Sequence, residues 1–193
     1  MKSFVAASLL ALITASVAAP SATSSSRLRF GKRNSPNGCG ADPGPQAVID
    51  AINAWTSDVQ TVNAFLEAAP TLDAVGIDLH IENVLTAAQD EPNQLQVLAC
   101  NEGVTPGTAA QAAADDLFNG FGNNVLTPLG NILANSGDTA VVHANLDTIN
   151  QFRCCNVLPD LDTLWTATAT DEGVANVVPL APPRPTTCAS ITC

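Results

Sequence analysis

Tyrosine is absent from this 193-residue chain, and lysine occurs only as Lys2 and Lys32. Of the seven lysine and arginine residues, only Arg153 and Arg184 follow residue 33, whereas all 18 acidic residues do. The chain after residue 33 therefore carries a formal charge of −16. Such a surface repels polyanions, because binding phosphate requires lysine or arginine. Nucleic acids and anionic membranes are thus excluded as partners.

The sequence also lacks the usual motifs of catalytic and metal sites. It has no G-x-S-x-G or C-x-x-C motif, and His80 and His143 stand apart without the spacing of metal ligands. Pairs of acids could serve glycoside hydrolysis, but neighbours on one helix do not face each other across a cleft. We therefore interpret as solvated the pairs Asp115-Asp116, Asp160/Asp162 and Asp171-Glu172. We expect no catalytic residue, metal or cofactor, and predict a binding protein rather than an enzyme.

The amino terminus has the pattern of a secretory signal peptide. Met1-Lys2 precedes an apolar run that begins at Phe4 and closes on small residues ending at Ala19. The rival interpretation is a membrane anchor, but the run is shorter than the ~20 residues needed to cross a bilayer. We predict a signal peptide over residues 1–19.

A second processing signal follows the first. Residues 20–33 are rich in serine, basic and free of acid, and they end in Lys32-Arg33. A dibasic pair in an exposed polar segment is a typical cleavage site of secretory-pathway proteases. We predict a propeptide over residues 20–33 and a secreted, extracellular chain that starts near Asn34. The alternative is a flexible linker with an incidental Lys-Arg pair.

Six cysteines follow the predicted signal peptide: Cys39, Cys100, Cys154, Cys155, Cys188 and Cys193. An even number of cysteines in an exported chain predicts three disulfides, although many pairings are open. A bridge between the adjacent Cys154 and Cys155 would strain the intervening peptide. We expect these two to pair with Cys39 and Cys100, and Cys188 to pair with Cys193.

The clearest helical pattern lies in residues 45–69. Its large apolar residues recur every three or four positions, as a buried helical stripe requires: Val48, Ile52, Trp55, Val59, Val62 and Leu66. Pro45 suits a first helical turn, and Pro70 ends the run. About seven turns of helix therefore need a partner surface.

Similar patterns fill the rest of the chain to residue 172. They predict helices over about 72–89, 92–101, 108–134 and 138–155, and a short one after Pro159. The breaks are expected at Asp90-Glu91-Pro92 and near Pro128, where we predict a kink. Arg153 is expected to satisfy helix-end carbonyls or pair with an acid, and Trp165 to complete the core against the first helix.

No segment has the alternating pattern of a strand. We predict an all-α, disulfide-linked, antiparallel bundle of about five helices over residues 34–172. An extended, proline-rich tail over residues 173–193, carrying two cysteines, is expected to follow it.

Three segments, DVQTVNAFLEAAP, AAQDEPNQLQVLA and RCCNVLPDLDTLW, resemble the small secreted helical proteins of filamentous ascomycete fungi. The first helix is also loosely similar to the hydrophobic-surface-binding and cell-wall galactomannoprotein family. The resemblance implies an effector or surface protein that binds a host or cell-wall component, at the fungal wall or in the host apoplast. The alternative function is binding of a hydrophobic surface or carriage of a sterol or fatty acid, in a space left by the Ala and Gly residues after Thr108.

Overall fold

The computed structural model describes residues 39–193. The predicted signal peptide, the propeptide with Ala19, Lys32 and Arg33, and the start of the mature chain near Asn34 lie outside the described residues. Within residues 39–193 the secondary structure is helical and contains no strand. No helix in this part of the chain is long and apolar enough to span a membrane.

The first two helices form a hairpin. Helix α1 spans Gly44–Ala68, and all six residues of its predicted apolar stripe are buried. Pro45 lies in its first turn, as predicted, and a 3-10 turn over Ala69–Thr71 follows. The side chain of Asp73 then caps helix α2, Ala74–Leu98, by accepting a hydrogen bond from the Gly76 N–H at 2.8 Å. The short connection makes the two helices antiparallel neighbours.

Helix α2 does not break at Pro92, so the prediction of two helices in this region was wrong. Proline in a helix interior costs about 3 kcal/mol, because it removes a hydrogen bond and crowds the preceding turn. Burial of a large apolar side chain stabilises by about 1.5–3 kcal/mol. Helix α2 buries such residues on both sides of Pro92: Ile77, Ile81, Val84, Leu95 and Leu98. Packing therefore outweighs the local penalty.

The remaining helices form a second hairpin of two long rods. In the first rod, helix α3 (Ala109–Phe121) continues through a π-helical turn over Gly122–Leu126 into helix α4 (Thr127–Ala134). In the second, helix α5 (Thr139–Phe152) continues through a π-helical turn over Arg153–Val157 into helix α6 (Leu158–Asp171). The described chain thus has four continuous rods, and the expected number of about five helices is not confirmed.

Each π-helical turn precedes a proline in the second position of the next helix, Pro128 and Pro159. The wider turn uses bonds between residues five apart, such as that from the Thr127 N–H to the Gly122 carbonyl. This change of bonding accommodates the missing proline N–H without ending the rod. The irregularity predicted near Pro128 is therefore a π-helical turn.

All six cysteines form disulfides, as predicted, but the predicted pairing was wrong. The bonds are Cys39–Cys100, Cys154–Cys188 and Cys155–Cys193. Cys39 precedes α1 and Cys100 follows α2, and two antiparallel helices of 25 residues bring these positions to the same end of the hairpin. The adjacent cysteines instead fix the carboxyl-terminal segment.

That segment, residues 173–193, lies against the helices. Val174, Val178, Pro182 and Pro185 are buried, and Thr186–Ser190 forms a 3-10 turn. The Thr186 N–H and hydroxyl both donate to Glu67 Oε1, at 2.6 and 2.9 Å. An extended tail separate from the helical body is not confirmed.

The core joins the two hairpins. Trp55 of α1 and Trp165 of α6 meet edge to face, with ring centroids 6.2 Å apart, and both side chains are almost completely buried. Trp165 therefore completes the core against the first helix, as predicted.

Candidate functional site: a buried ion pair beside the cleft between α2 and α3

A fully buried ion pair connects the two hairpins. Arg153 Nη1 of the second π-helical turn donates to Glu91 Oε1 of α2 at 3.0 Å, and the two side chains are 1% and 0% exposed. Arg153 thus pairs with an acid, which is one of its two predicted roles. A buried charge is tolerated only when it is paired, because desolvation costs several kcal/mol per ion. The pair therefore fixes how the two hairpins sit together.

Two further side chains complete this polar cluster. Trp55 Nε1 donates to the second carboxylate oxygen, Glu91 Oε2, at 2.9 Å. Arg153 Nη2 donates to Asn63 Oδ1 at 3.3 Å, and Asn63 Nδ2 donates to the Pro183 carbonyl at 2.8 Å. The chain of hydrogen bonds therefore runs from α1 and α2 through the core to the carboxyl-terminal segment.

Sequence reasoning missed Glu91, although the sequence contained a signal. Ala88, Glu91, Leu95 and Leu98 are spaced by three, four and three residues, so Glu91 occupies a position of the buried stripe of α2. An acid on such a stripe requires a buried partner. The chain after residue 33 has only two cations to offer, Arg153 and Arg184.

A second acid, next to this cluster, has a perturbed pKa. Burial, followed by repulsion from the charges of Asp90 and Glu91, raises the pKa of Asp58 to about 7. Asp58 lies one helical turn after Trp55 on α1, and its Oδ2 atom has no hydrogen-bond partner within residues 39–193. The protonated form of Asp58 is thus favoured where its unfolded counterpart would already be ionised.

A cavity of about 190 Å³ lies beside Glu91 in the cleft between α2 and α3. We call it the inner cavity. Its walls come from α1, α2, α3 and the first π-helical turn: Trp55, Glu91, Pro92, Leu95, Leu117, Phe118, Phe121, Gly122 and Leu126. Eight of these nine residues offer apolar groups to the space. The inner cavity is therefore suited to an apolar guest.

A second cavity, of about 270 Å³, lies further along the same cleft between α2 and α3. We call it the outer cavity. It is lined by the Cys39–Cys100 disulfide and by more polar side chains, including Gln96, Gln111 and Asp115. Phe118 lines both cavities and is 52% exposed. The Phe118 ring therefore separates the two spaces at the surface of the cleft.

An open groove of about 670 Å³ lies on another face, between α3 and α6. Most of its lining surface is apolar, although six of its ten lining residues carry hydroxyl or carboxylate groups: Thr108, Asp162, Thr163, Thr166, Thr170 and Asp171. Asp162 already pairs with Arg184, and the hydroxyls of Thr108, Thr163 and Thr166 donate to backbone carbonyls, so the Thr170 hydroxyl and the remaining lone pairs of the other groups are left for a polar partner. The groove is therefore a candidate surface for a hydroxyl-rich ligand.

The interpretation of the acid pairs as simply solvated was wrong for Asp160. Asp160 of α6 shares a hydrogen bond with Asp116 of α3. Burial, and then this bond and the charge of Asp116, raises the pKa of Asp160 to about 7. The two acids belong to different pairs in the sequence, and only the packing of α3 on α6 brings them together.

A second acid pair lies where α6 ends. Carboxylate oxygens of Asp42, Asp171 and Glu172 lie within 4.8 Å of one another. The hydrogen bond that protonated Glu172 donates to Asp42, followed by burial and by the charges of neighbouring acids, raises the pKa of Glu172 to about 7. Asn101 Nδ2 also donates to Glu172 Oε1 at 2.8 Å. A shared proton thus links the start of the described chain to the end of α6.

Both histidines occupy exposed positions, His80 on α2 and His143 on α5. Among the serines, Ser57 and Ser190 are also exposed, on α1 and in the carboxyl-terminal segment. These four residues lie on separate elements. Comparison with protein-family models, curated proteins and solved structures finds no match to this chain.

Proposed function

We propose that this protein is exported and acts outside the cell as a non-enzymatic binding protein, at a fungal surface or as an effector in a host. The signal-like run over residues 1–19 and the Lys32-Arg33 pair support export. The three disulfides support it too, since such bonds persist in oxidising compartments.

The chemistry of the buried residues favours binding over catalysis. The most strongly buried charged groups, Glu91 and Arg153, are tied to each other and to Trp55 and Asn63. They serve the packing of the helices, and both are closed off from solvent. What this scaffold offers to a partner is the surface of its grooves.

The observation that carries the proposal is the open groove between α3 and α6. Its threonine hydroxyls and aspartate carboxylates can form hydrogen bonds to a neutral, hydroxyl-rich cell-wall component. The charge of −16 after residue 33 repels a polyanionic partner. A neutral polysaccharide is not repelled. A wall polysaccharide is thus the partner that we favour.

A pull-down with the mature protein tests this proposal, using insoluble cell-wall material and host extracellular fluid as the two sources of partner. Thr166→Val and Thr170→Val each remove a hydroxyl from the groove, and we expect them to reduce retention on wall material. Thr148→Val is the matched control, because Thr148 is an exposed helical threonine on α5 outside the groove. Equal retention of all three variants would refute the groove as the binding surface.

Hydrolysis would refute the non-enzymatic part of the proposal. The mature protein should leave a panel of glycosides, esters and peptides unchanged. Turnover that disappears in Asp160→Asn or Glu172→Gln would show that an acid pair is catalytic. Turnover of the wild type that these variants retain would point to another catalytic group, and would equally contradict the proposal.

A second candidate function is carriage of an apolar ligand, such as a sterol or fatty acid. It is favoured by the inner and outer cavities, which lie beside small residues of the segment after Thr108, including Ala114 and Gly122. Native mass spectrometry of protein purified from its source should then reveal a bound lipid. Protein without any co-purified lipid would count against this function.

A further inference from the structure

The size of the inner cavity sets a limit on what it can hold. A cavity of ~150 Å³ lined by apolar side chains binds a single benzene ring, whereas pockets for drug-sized ligands measure roughly 300–1,000 Å³. The inner cavity, at about 190 Å³, is close in volume to the cavity that binds benzene. It has room for one or two rings, and a sterol exceeds it.

The inner cavity offers no free charge to a guest, because Glu91 is the one ionisable residue of its lining and is fully buried. Each oxygen of the Glu91 carboxylate already accepts a hydrogen bond, one from Trp55 Nε1 and one from Arg153 Nη1. The ion pair has no net charge, so the wall offers no counter-ion for a charged ligand. A cationic or anionic guest would have to lose its hydration without gaining a partner. A neutral guest avoids this cost.

The rest of the wall is aromatic and aliphatic. Trp55 and Phe121 are held in the core at 1% and 4% exposure, so their rings have fixed positions. Phe118 also lines the inner cavity and is half exposed at the surface of the cleft. Aromatic rings favour offset or edge-to-face contact with a second ring.

The backbone of the cavity wall is also unusual. Gly122 and Leu126, the first and last residues of the π-helical turn, both line the inner cavity. Single π-helical turns inside α-helices occur frequently at functional sites. This observation is independent of the cavity volume.

We propose that the inner cavity binds a small, neutral, apolar molecule of one or two rings. This inference rests on the second proposed function, carriage of an apolar ligand. It narrows the ligand class from lipids to compact ring compounds.

Two glycines provide a matched test. A Cβ atom added at Gly122 or at Gly130 meets no heavy atom within 4 Å, so both positions tolerate a larger side chain. Gly122 is exposed where it lines the inner cavity, so Gly122→Leu should crowd the mouth of the cavity, whereas Gly130→Leu adds the same side chain on α4, outside it. Leu126→Phe fills the cavity from the other end of the π-helical turn and replaces Gly122→Leu as the test if that variant does not fold.

Isothermal titration with indole and with naphthalene measures the affinity of the full mature protein, and laurate and ergosterol are titrated in parallel. We expect the wild type and Gly130→Leu to bind the ring compounds with similar affinity. Gly122→Leu should weaken binding by at least about tenfold, equivalent to about 1.4 kcal/mol. Circular dichroism checks that each variant is folded.

The outcomes separate this inference from the function on which it rests. Binding of indole or naphthalene that Gly122→Leu or Leu126→Phe leaves unchanged would overturn the inference. Binding of laurate or ergosterol without binding of either ring compound would also overturn it, while leaving a carrier function intact. If none of the four compounds binds, both the inference about ring compounds and the proposed carrier function are refuted.

Discussion

Replacing Glu91 with leucine should leave the Arg153 guanidinium buried without its counter-ion. An arginine guanidinium stays charged in proteins, so loss of a proton cannot relieve this state. Removing one partner of a buried ion pair typically destabilises by about 3–5 kcal/mol. For a domain of this size that corresponds to a fall in melting temperature of roughly 6–20 °C. Trp55 Nε1 would lose its acceptor as well.

Replacing both partners should cost less than replacing Glu91 alone. In Glu91→Leu/Arg153→Met no charge remains in the core, and the methionine refills much of the space. Arg153→Met should therefore destabilise the wild type but stabilise the Glu91→Leu variant. This reversal of sign follows from the geometry, since Arg153 and Glu91 are 3.0 Å apart and sealed from water.

Chemical denaturation of the four proteins measures this effect. Trp55 and Trp165 are the only tryptophans of the chain and both are buried, so their fluorescence reports unfolding of the core. Circular dichroism provides a second probe, because Glu91→Leu alters the surroundings of Trp55. If Arg153→Met lowers the free energy of unfolding by the same amount in both backgrounds, the two residues are not coupled and our account of the core is wrong.

Three further predictions concern stability. The raised pKa of Glu172, about 7 against an ordinary 4.5, means that the unfolded chain loses this proton first. Stability should therefore fall as pH rises from about 4.5 to about 7, and Glu172→Gln should flatten this fall in thermal unfolding at the two ends of the range. Replacing Cys154 and Cys188 by serine should lower the free energy of unfolding by about 2 kcal/mol in denaturation, because Cys155–Cys193 still closes nearly the same loop. An unchanged midpoint would refute the assigned bond. Gly120→Ala should destabilise the protein by about 1–3 kcal/mol, because the added Cβ would clash with the ring of Phe152 on α5. Gly130→Ala, where a Cβ meets no neighbour, should stabilise it by about 0.5–1 kcal/mol. Thermal melts that rank the two variants the other way would contradict this packing.

The apolar pattern was enough to predict the helical elements but not their continuity. The stripe of α1 is buried along its whole length, as its spacing predicted. The expected breaks at Pro92 and after Cys155 were wrong, because local proline rules do not include the burial that a continuous rod gains. Both π-helical turns are stabilised by this burial of apolar side chains along a continuous rod.

The error at Pro92 also explains the wrong disulfide pairing. With α2 ending near residue 89, Cys100 would belong to another helix, and nothing would bring it near Cys39. A continuous α2 of 25 residues, equal to α1, places both cysteines at the same end of the hairpin. The remaining four cysteines then pair between the second π-helical turn and the carboxyl-terminal segment.

The candidate sites were the least predictable features. The period of α2 places Glu91 on a buried face, so its need for a cation can be read from the sequence. The inner cavity cannot be predicted from the sequence. Its volume depends on the space that the side chains of α2 and the α3 rod leave between the two packed hairpins. The acid pair Asp116 and Asp160 likewise arises only from the contact of α3 with α6.

We propose that this helical protein leaves the cell with its disulfides formed and its signal peptide and propeptide removed. The intact mass of the protein recovered from culture medium tests it most directly. We predict a chain that begins at Asn34 and is lighter by six hydrogens than its fully reduced form, since all six cysteines are paired. A chain that stays inside the cell, or an exported chain with free thiols, would contradict the account.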